Sequence, residues 1–356
     1  MDFSLTDDQR SLRDLAREIL RDGATHEHLQ QLERESWSVF DRPLWQRLAA
    51  AGITGIAVPE SFGGGGLGFL ELATVFEEIG RVVAPVPAVP TLATAYVLAK
   101  HHAGEQHLAG VAAGTTILTT AFEGEVTARR DGEGWTLDGE AAFVPYGALA
   151  DVVVVVADSD AGPVVTLVPR GTGGVAVTEL ETTNREPQAL LAFDGAHVAD
   201  VVSDAAELVH DLRLHTTAGV CSVAAGVCQA ALEMTAKHTA SREQFGKPIA
   251  SFQAVGQRAA DAYIDTELVR LTALQAAWRL SAGWPADEEV AVAKFWVGDG
   301  GMRALHACQH LHGGLGVDLD YPLHRYFLWG KQLEHTLGTP TRQLLTLGAQ
   351  LAANPV

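Results

Sequence analysis

The chain has 356 residues, 47% of them hydrophobic, so it is long enough for about two or three structural units with a sizeable core. Its formal net charge of −19 argues against nucleic-acid binding, because phosphates require a basic surface. No apolar run reaches the roughly 18 residues that a membrane span needs, and residues 1–6 lack the basic-then-apolar plan of a signal peptide. The sequence therefore predicts a cytoplasmic protein that binds neither nucleic acid nor membrane.

Residues 1–112 are predicted to form an N-terminal helical domain. Thr6 precedes two acidic residues and is a suitable cap for a first helix. A second helix is predicted over 42–51, with Gly52 at its end. The glycine run at 63–66 could cradle a phosphate, but no strand precedes it and no GK[ST] sequence follows it. We therefore interpret the run as a turn between helices.

Residues 113–205 are predicted to form a small central β domain. From about residue 117 the hydrophobic pattern changes to a period of two, broken by Gly, Pro and Asp turns. The predicted strands are 135–139, 151–157, 164–168, 175–180 and 189–193.

Residues 206–356 are predicted to be helical again. Long helical segments near 207–241, 252–282 and 287–311, joined by short turns, indicate a C-terminal four-helix bundle. Cys221, Cys228 and Cys308 form no metal-type pair, and no cluster of side chains has metal-ligand spacing. We predict no metal site, and we expect the cysteines to be reduced and packed as small hydrophobic residues.

Two motifs carry the functional signal. The first places Arg242, Phe245 and Gln253 at fixed spacing after a predicted helix, and the second contains Gly313 and Gly314. Arginine offers a fixed fork of donors to a pyrophosphate, and phenylalanine offers a flat apolar face. Glycines let backbone N–H groups approach an anion closely. The pair of motifs is thus suited to a dinucleotide.

Together these motifs resemble the acyl-CoA dehydrogenase family, flavoenzymes that desaturate acyl-CoA thioesters. The resemblance covers nearly the whole chain and implies an α+β fold: N-terminal helices, a small β domain and a C-terminal four-helix bundle. In that family, the arginine motif and the Gly-Gly turn reach across a subunit interface to hold a neighbour's FAD. The cofactor-binding residues that it implies are Arg242, Phe245, Gln253, His310, Gly313, Gly314 and Thr339. His310 takes the position at which the family usually has glutamine.

The family's catalytic base, a carboxylate, is missing from both positions where the resemblance would place it. The loop after the last long helix has Leu337 at the position of the glutamate, and the helix before Arg242 has Thr216 at the second position. Neither side chain can take a proton from the substrate, so we predict no catalytic residue in this chain.

The β domain also departs from the family pattern. The stretch at 119–128 is too short to include the loop that hydrogen-bonds the flavin in relatives. The usual Trp-Ile-Thr or Trp-Ile-Ser strand is Phe143-Val144-Pro145, and proline has no backbone N–H to donate. Phe143 could pack in the core and Pro145 could end a strand. Both departures predict a degraded flavin pocket in this subunit.

Within the family, the chain most resembles the base-lacking subunit of actinobacterial heteromeric enzymes of steroid side-chain breakdown. The resemblance implies FAD-dependent dehydrogenation of an acyl-CoA by a heterotetramer, with an electron-transfer flavoprotein as the electron acceptor. One alternative is a self-sufficient homo-oligomer with a different base, such as Glu207, Asp211 or Asp320. Another is a structural or regulatory subunit without flavin.

His324 and Arg325 could be given a catalytic role, with Asp320 nearby in the sequence. We favour a structural role for them, in which they anchor the start of a helix after Tyr321-Pro322.

Overall fold

A computed structural model describes residues 5–132, 134–202 and 205–353. The described residues form two compact units, one made of residues 5–28, 73–84 and 217–353 and the other of residues 29–72 and 85–216. We refer to them as the bundle unit and the sheet unit. Three helices, α2, α4 and α7, have residues in both units.

The helices are α1 (Asp7–Gly23), α2 (His26–Glu35), α3 (Arg42–Ala50), α4 (Phe69–Val82), α5 (Thr94–Lys100), α6 (Leu108–Ala112), α7 (Ala206–Ser241), α8 (Gln253–Ser281), α9 (Asp287–Trp296), α10 (Met302–His312), α11 (Leu323–His335) and α12 (Pro340–Ala353). The strands are β1 (Leu118–Ala121), β2 (Glu123–Asp131), β3 (Gly134–Pro145), β4 (Val152–Ser159), β5 (Gly162–Pro169), β6 (Val175–Leu180), β7 (Gln188–Val198), β8 (Val201–Val202), β9 (Glu243–Gln244) and β10 (Lys247–Pro248).

The N-terminal signals in the sequence act as predicted. The Thr6 side chain accepts a hydrogen bond from the Gln9 amide, and the Gln9 side chain accepts one from the Thr6 amide, which completes a capping box for α1. Helix α3 ends just before Gly52, whose φ of +79° favours glycine.

The glycine run at 63–66 is a turn, as predicted. The amide of Gly65 donates to the carbonyl of Gly55, and the amide of Gly66 donates to that of Val58. A Cβ on Gly64 would lie 2.0 Å from the Val58 oxygen, so the turn requires glycine there. Both amides are hydrogen-bonded within the turn, so they are not free to bind a phosphate.

The sheet unit holds an eight-stranded sheet in the order β6-β7-β3-β2-β4-β5-β8, with β1 pairing parallel to β4. All five predicted strands overlap observed ones. Alternate residues of the strands, such as Leu137, Val155 and Phe193, face one hydrophobic core. The sheet thus has the period-two pattern that the sequence showed.

Strand β3 ends at Pro145, as predicted, but Phe143 does not pack in the core. The pairing of β3 with β7 is irregular between Ala141 and Val144, and Phe143 has a φ of +53° there. This conformation turns its side chain outward, and it is 64% exposed. The expectation that Phe143 packs is therefore wrong.

The bundle unit contains the long helices. Helix α8 packs against α9 and α10, α9 packs against α12, and α10 packs against α11. Leu232 of α7 packs on three alanines whose small side chains allow close helix contact, Ala262, Ala304 and Ala307. Helices α9 and α10 continue one another through a π-helical turn, Val297–Gly301, which accounts for the single segment predicted near 287–311.

One described helix, α7, is long and apolar enough to cross a membrane, with a mean hydropathy of 1.3 over its best window. The length and composition of α7 therefore do not exclude a membrane span. The sequence analysis had excluded one because no uninterrupted apolar run reaches about 18 residues. However, 83% of that window is buried inside the protein, as in the core helix of a globular fold.

Candidate functional site

Phe245 lies at the tip of a β-hairpin directly after α7. Strands β9 and β10 pair antiparallel, and the two residues between them, Phe245 and Gly246, have φ values of +55° and +76°. Two-residue hairpin turns of this kind require positive φ at both positions, which suits Gly246 and disfavours a bulky residue. The Phe245 ring is nevertheless 92% exposed. It packs edge-on against the Phe252 ring, with the two ring centroids 6.1 Å apart. A strained, exposed aromatic residue indicates a surface that contacts another molecule.

Arg242 stands at the base of this hairpin. Its amide donates to the carbonyl of His238, and its carbonyl accepts from the amide of Ile249, both at 2.8 Å. The side chain is exposed, and its guanidinium forms no hydrogen bond or ion pair with any residue that the structure describes. The backbone is thus fixed while the donor fork is free for an anion. Gln253, also exposed, is the first residue of α8, where the helix dipole favours negative charge.

The Gly-Gly motif ends α10. Gly313 has a φ of +59°, and its amide donates to the carbonyl of His310. Nothing lies within 4 Å of a Cβ built on Gly313 or Gly314, so a ligand can approach the backbone of both. His310 is exposed, whereas its neighbour Gln309 is half-buried. The outward side chain is therefore that of His310, as predicted.

Two histidines outside the predicted motifs, His238 and His312, link the hairpin to the glycine turn. The His238 ring, one helical turn before Arg242, stacks on the His312 ring, which directly precedes Gly313, with centroids 4.3 Å apart. His312 Nδ1 lies 2.8 Å from the Cys308 carbonyl oxygen, and its Nε2 lies 3.1 Å from the Tyr321 hydroxyl. The hairpin and the glycine turn therefore share one support. No spacing in the sequence pairs His238 with His312, because the two residues lie 74 positions apart.

The loop between α11 and α12 contains Leu337, the residue that the resemblance puts at the position of the family's base. Leu337 has a φ of +56°, and its carbonyl accepts a hydrogen bond from the Gln343 side chain. Lys294 Nζ donates to the carbonyls of Glu334 at 3.0 Å and Gly338 at 2.8 Å. Lys294 is fully buried, and burial lowers its pKa to about 8. These hydrogen bonds hold the loop in place, and the side chain of Leu337 within it is apolar.

Thr339 lies in the same loop and is half-buried. No hydrogen bond among the described residues joins Thr339 to the Arg242 hairpin or to the glycine turn.

Thr216 is buried in the sheet unit, and its hydroxyl has no hydrogen-bond partner among the described residues. The preceding residue, His215, packs on Phe69 at 4.8 Å and on Tyr96 at 5.4 Å. Burial lowers the pKa of His215 to about 4, so its ring is neutral at physiological pH. A carboxylate does belong to this surrounding, because His215 Nδ1 lies 2.8 Å from the backbone carbonyl oxygen of Asp211.

The alternative bases are poorly suited to their task. Burial would raise the pKa of Asp211, but hydrogen bonds from Lys100 and His101, both 2.7 Å long, outweigh it and hold this pKa below its ordinary value. Glu207 is exposed in the first turn of α7, and Asp320 is exposed in the loop before α11. Glu207 and Asp320 are thus open to solvent, whereas a base that removes an α proton is expected in a pocket that excludes water.

The end of β3 offers no spare donor to a flavin ring. Pro145 has no N–H, and its carbonyl accepts a hydrogen bond from the Thr119 hydroxyl at 2.6 Å. The amide of Tyr146 donates to Pro187, and that of Gly147 donates to Val144. Residues 145–147 therefore offer no free backbone N–H to a flavin ring.

His324 and Arg325 have the structural role that we favoured. His324 Nδ1 lies 2.7 Å from the Tyr321 carbonyl oxygen, at the start of α11. Arg325 Nη1 lies 2.7 Å from the ring of His26. Both residues are buried in the bundle unit.

The described residues contain no group of three or more His, Cys, Asp or Glu side chains that could hold a metal ion. All three cysteines are free and buried, as predicted.

Two family models match the chain. The acyl-CoA dehydrogenase N-terminal domain matches residues 6–111, and the acyl-CoA dehydrogenase C-terminal domain matches residues 213–352. Among curated proteins, the chain is 42% identical to acyl-CoA dehydrogenase FadE27 of Mycobacterium tuberculosis, with all of both chains covered.

Solved structures agree with these matches. A chain in the crystal structure of the ChsE4-ChsE5 complex from Mycobacterium tuberculosis is 41% identical, with a TM-score of 0.95 and all of both chains covered. A chain in a variant of the Tcur3481-Tcur3483 steroid ACAD is 39% identical, with a TM-score of 0.92 and 98% of each chain covered.

Proposed function

This chain belongs to the acyl-CoA dehydrogenase family, and we propose that it is the subunit that lacks the catalytic base and completes a partner's FAD site. Its relatives are oxidoreductases that act on CH–CH bonds, and their reaction is the α,β-dehydrogenation of an acyl-CoA thioester. FAD held by Arg242 and its neighbouring residues would supply the hydride acceptor for the β carbon, and a base on a partner chain would remove the α proton.

One contrast carries the proposal. The groups that would serve a neighbour's cofactor are exposed and unused, whereas the groups that would serve this chain's own reaction are missing or already bonded. Arg242 and Phe245 belong to the first class. Leu337, Thr216 and Pro145 belong to the second. A subunit that contributes to another active site requires the first class and can dispense with the second.

Each predicted cofactor residue has a physical task in this scheme. The guanidinium of Arg242 would pair with the pyrophosphate, and the Phe245 ring would cover an apolar face of the dinucleotide. Gln253 and His310 would donate or accept hydrogen bonds. Gly313 and Gly314 would allow close approach of the backbone.

An exposed apolar surface on α8 and α12 supports assembly with another chain. Large hydrophobic side chains exposed on these two helices are Tyr263, Ile264, Leu271, Leu344, Leu345 and Leu351. Patches of this kind are uncommon on monomers and mark protein interfaces. We propose that a homologous dehydrogenase chain covers this surface.

The partner and substrate are inferred from the relatives. Two of the similar structures are complexes with two named components, and one of them is called a steroid ACAD. We therefore propose a heterotetramer with two copies of each chain, acting in the cytoplasm on acyl-CoA thioesters of the steroid side-chain class. An electron-transfer flavoprotein would then reoxidise the flavin.

Co-expression with a homologous chain that carries the glutamate tests the proposal. Native mass measurement should show two copies of each chain, and absorbance should show one flavin per unlike pair. A stable homo-oligomer with one flavin per chain and robust turnover would overturn it. A complex from which flavin is absent would favour the structural or regulatory alternative.

A further inference from the structure

The His238–His312 stack lies directly beneath the two cofactor motifs. The ring planes differ by 19°, and both rings belong to residues that adjoin a predicted pyrophosphate contact. His238 is half-buried, and His312 is buried. Two ionisable groups in face-to-face contact cannot both be charged without strong repulsion.

The hydrogen bonds of His312 fix the tautomer of its neutral ring. A carbonyl oxygen can only accept, so Nδ1 donates its proton to Cys308, and Nε2 is left to accept from the Tyr321 hydroxyl. Both nitrogens of the neutral ring are therefore satisfied. His238 has no such pair of partners among the described residues, so an added proton is more easily placed on His238.

The charged group that acts on His238 is Arg242, which directly follows the last residue of α7. Burial and then the positive charge of Arg242 lower the pKa of His238. Burial also lowers the pKa of His312, with a further contribution from His238. Among the described residues, His312 is hydrogen-bonded to the backbone carbonyl of Cys308, which does not titrate, and to the hydroxyl of Tyr321, which is neutral near pH 7. The free protein therefore holds two neutral imidazoles beside an unpaired guanidinium.

We propose that binding of a pyrophosphate-bearing dinucleotide at Arg242 is coupled to the uptake of one proton by His238. This inference rests on the proposed function, since it requires the dinucleotide to bind at Arg242. The pyrophosphate would neutralise the charge that disfavours a proton on His238. The proton comes from solvent, and the resulting imidazolium stacks on the neutral ring of His312. His238 is thus a positioning residue that adds positive charge to the site only when the anion is present.

Linkage gives the sign of the effect. Because the bound state takes up a proton, the affinity for the dinucleotide falls as the pH rises through the range in which His238 titrates. Uptake of one proton limits the change to about tenfold per pH unit. A site that depends on Arg242 alone would show no such slope between about pH 5 and pH 8, because arginine does not titrate there.

The test uses the assembled complex after removal of its flavin. FAD dissociation constants are measured between about pH 5 and pH 8 at constant ionic strength. Calorimetry in two buffers with different ionisation enthalpies gives the number of protons taken up. His238→Phe retains an aromatic ring on His312 but cannot bind a proton, so its slope should vanish while its affinity at high pH stays near that of the wild type. His306→Gln, which removes an exposed imidazole elsewhere on α10, is the matched control and should keep the slope.

The outcomes separate this inference from the function on which it rests. If Arg242→Ala leaves FAD affinity unchanged, the proposed function fails at this site. If Arg242→Ala weakens binding while His238→Phe keeps the wild-type slope, only the coupling is wrong. If His238→Phe does not assemble, the wild-type proton count still decides: uptake approaching one proton supports the coupling, and zero uptake refutes it.

Discussion

At the residue scale, loss of the Arg242 side chain should lower FAD affinity strongly and change the stability of the fold little. Arg242→Ala is expected to lower the FAD affinity of the complex by roughly ten- to hundredfold, because a charge-assisted hydrogen bond contributes about 1.5–3 kcal/mol. Its exposed guanidinium forms no hydrogen bond or ion pair with the described residues, so the midpoint of thermal unfolding should be unchanged. Arg242→Lys should rescue only part of the affinity, since lysine lacks the planar fork.

Arg47→Ala is the matched control for this change. It removes an exposed arginine from α3, in the sheet unit, and should leave flavin content unaltered. Equal flavin content in the Arg242→Ala complex and the wild type would show that the guanidinium contacts something other than the cofactor.

Lys294 should be far more important for stability than its charge suggests. Lys294→Met would leave the carbonyls of Glu334 and Gly338 buried without their donor, which is expected to cost roughly 2–5 kcal/mol. Lys237→Met, on the exposed face of α7, should cost little. Urea unfolding of both variants measures the difference, and a similar small loss in each would mean that the loop does not depend on Lys294.

The pH dependence of this contribution has a definite sign. The pKa of Lys294 is lowered to about 8 in the folded chain, while an unfolded lysine titrates near 10.4. Between these values the unfolded state binds more protons, so stability should rise with pH relative to Lys294→Met. The neutral amine keeps two hydrogens for its two carbonyl partners. A difference in unfolding free energy that falls between pH 8 and pH 10 would contradict the burial of this amine.

Sequence alone could identify Arg242, Phe245 and the glycines, because each has a chemical task that its residue type reveals. It could not identify the His238–His312 stack or the hydrogen bonds from Lys294 to the carbonyls of Glu334 and Gly338. Both depend on contacts between helices that are distant in sequence, 74 residues apart for the stacked rings and 44 for Lys294 and Gly338. Side-chain chemistry is visible in a sequence, but the pairing of side chains across a fold is not.

At the scale of the element, the hairpin formed by β9 and β10 separates stability from function. Phe245→Asn creates Asn-Gly, the sequence preferred in this turn, and should leave the unfolding midpoint unchanged or raise it slightly. The same change should lower flavin occupancy, since it removes the exposed ring. Circular dichroism and flavin absorbance on one preparation measure both effects. A loss of stability together with flavin would show that Phe245 supports the fold and not the ligand.

Gly246→Ala supplies the opposite case in the same turn. It keeps the Phe245 ring but places a side chain at a φ of +76°, so stability should fall by roughly 1 kcal/mol. Any loss of flavin should then follow the loss of hairpin structure.

The predicted elements differ in how well local patterns define them. Long helices and the buried strand β4 were predictable, because hydrophobic periodicity is strong there. Strand β2 was not, since five of its nine residues are charged and only Val126 and Ala128 are buried. Helix α12 was also missed: its exposed leucines give no clear stripe toward a core. Such elements are defined by tertiary partners more than by their own sequence.

At the scale of the whole molecule, the chain is asymmetric in what it keeps. Under the function that we propose, groups that would serve another subunit, such as Arg242, are exposed, while the sequence predicts that the base and the β-domain donors for its own flavin are absent. A homo-oligomer would then place Arg242 at a pocket without the predicted carboxylate. We infer that an unlike partner supplies the missing groups.

The isolated chain is accordingly expected to be inactive, and Leu337→Glu alone should not restore turnover. A general base contributes roughly 10² to 10⁴ in rate, so its absence already suppresses catalysis. Replacing Leu337 returns a carboxylate to the loop held by Lys294, but it does not return an N–H at Pro145 or release the amide of Tyr146. Leu337→Gln, similar in size to glutamate but unable to take the proton, is the matched control. Both variants should match the wild type when assayed without a partner, using FAD, several acyl-CoA thioesters and an artificial electron acceptor. Turnover that appears with glutamate and not with glutamine would show that this chain's own pocket can hold a working flavin, and that its loss of function lies at Leu337 alone.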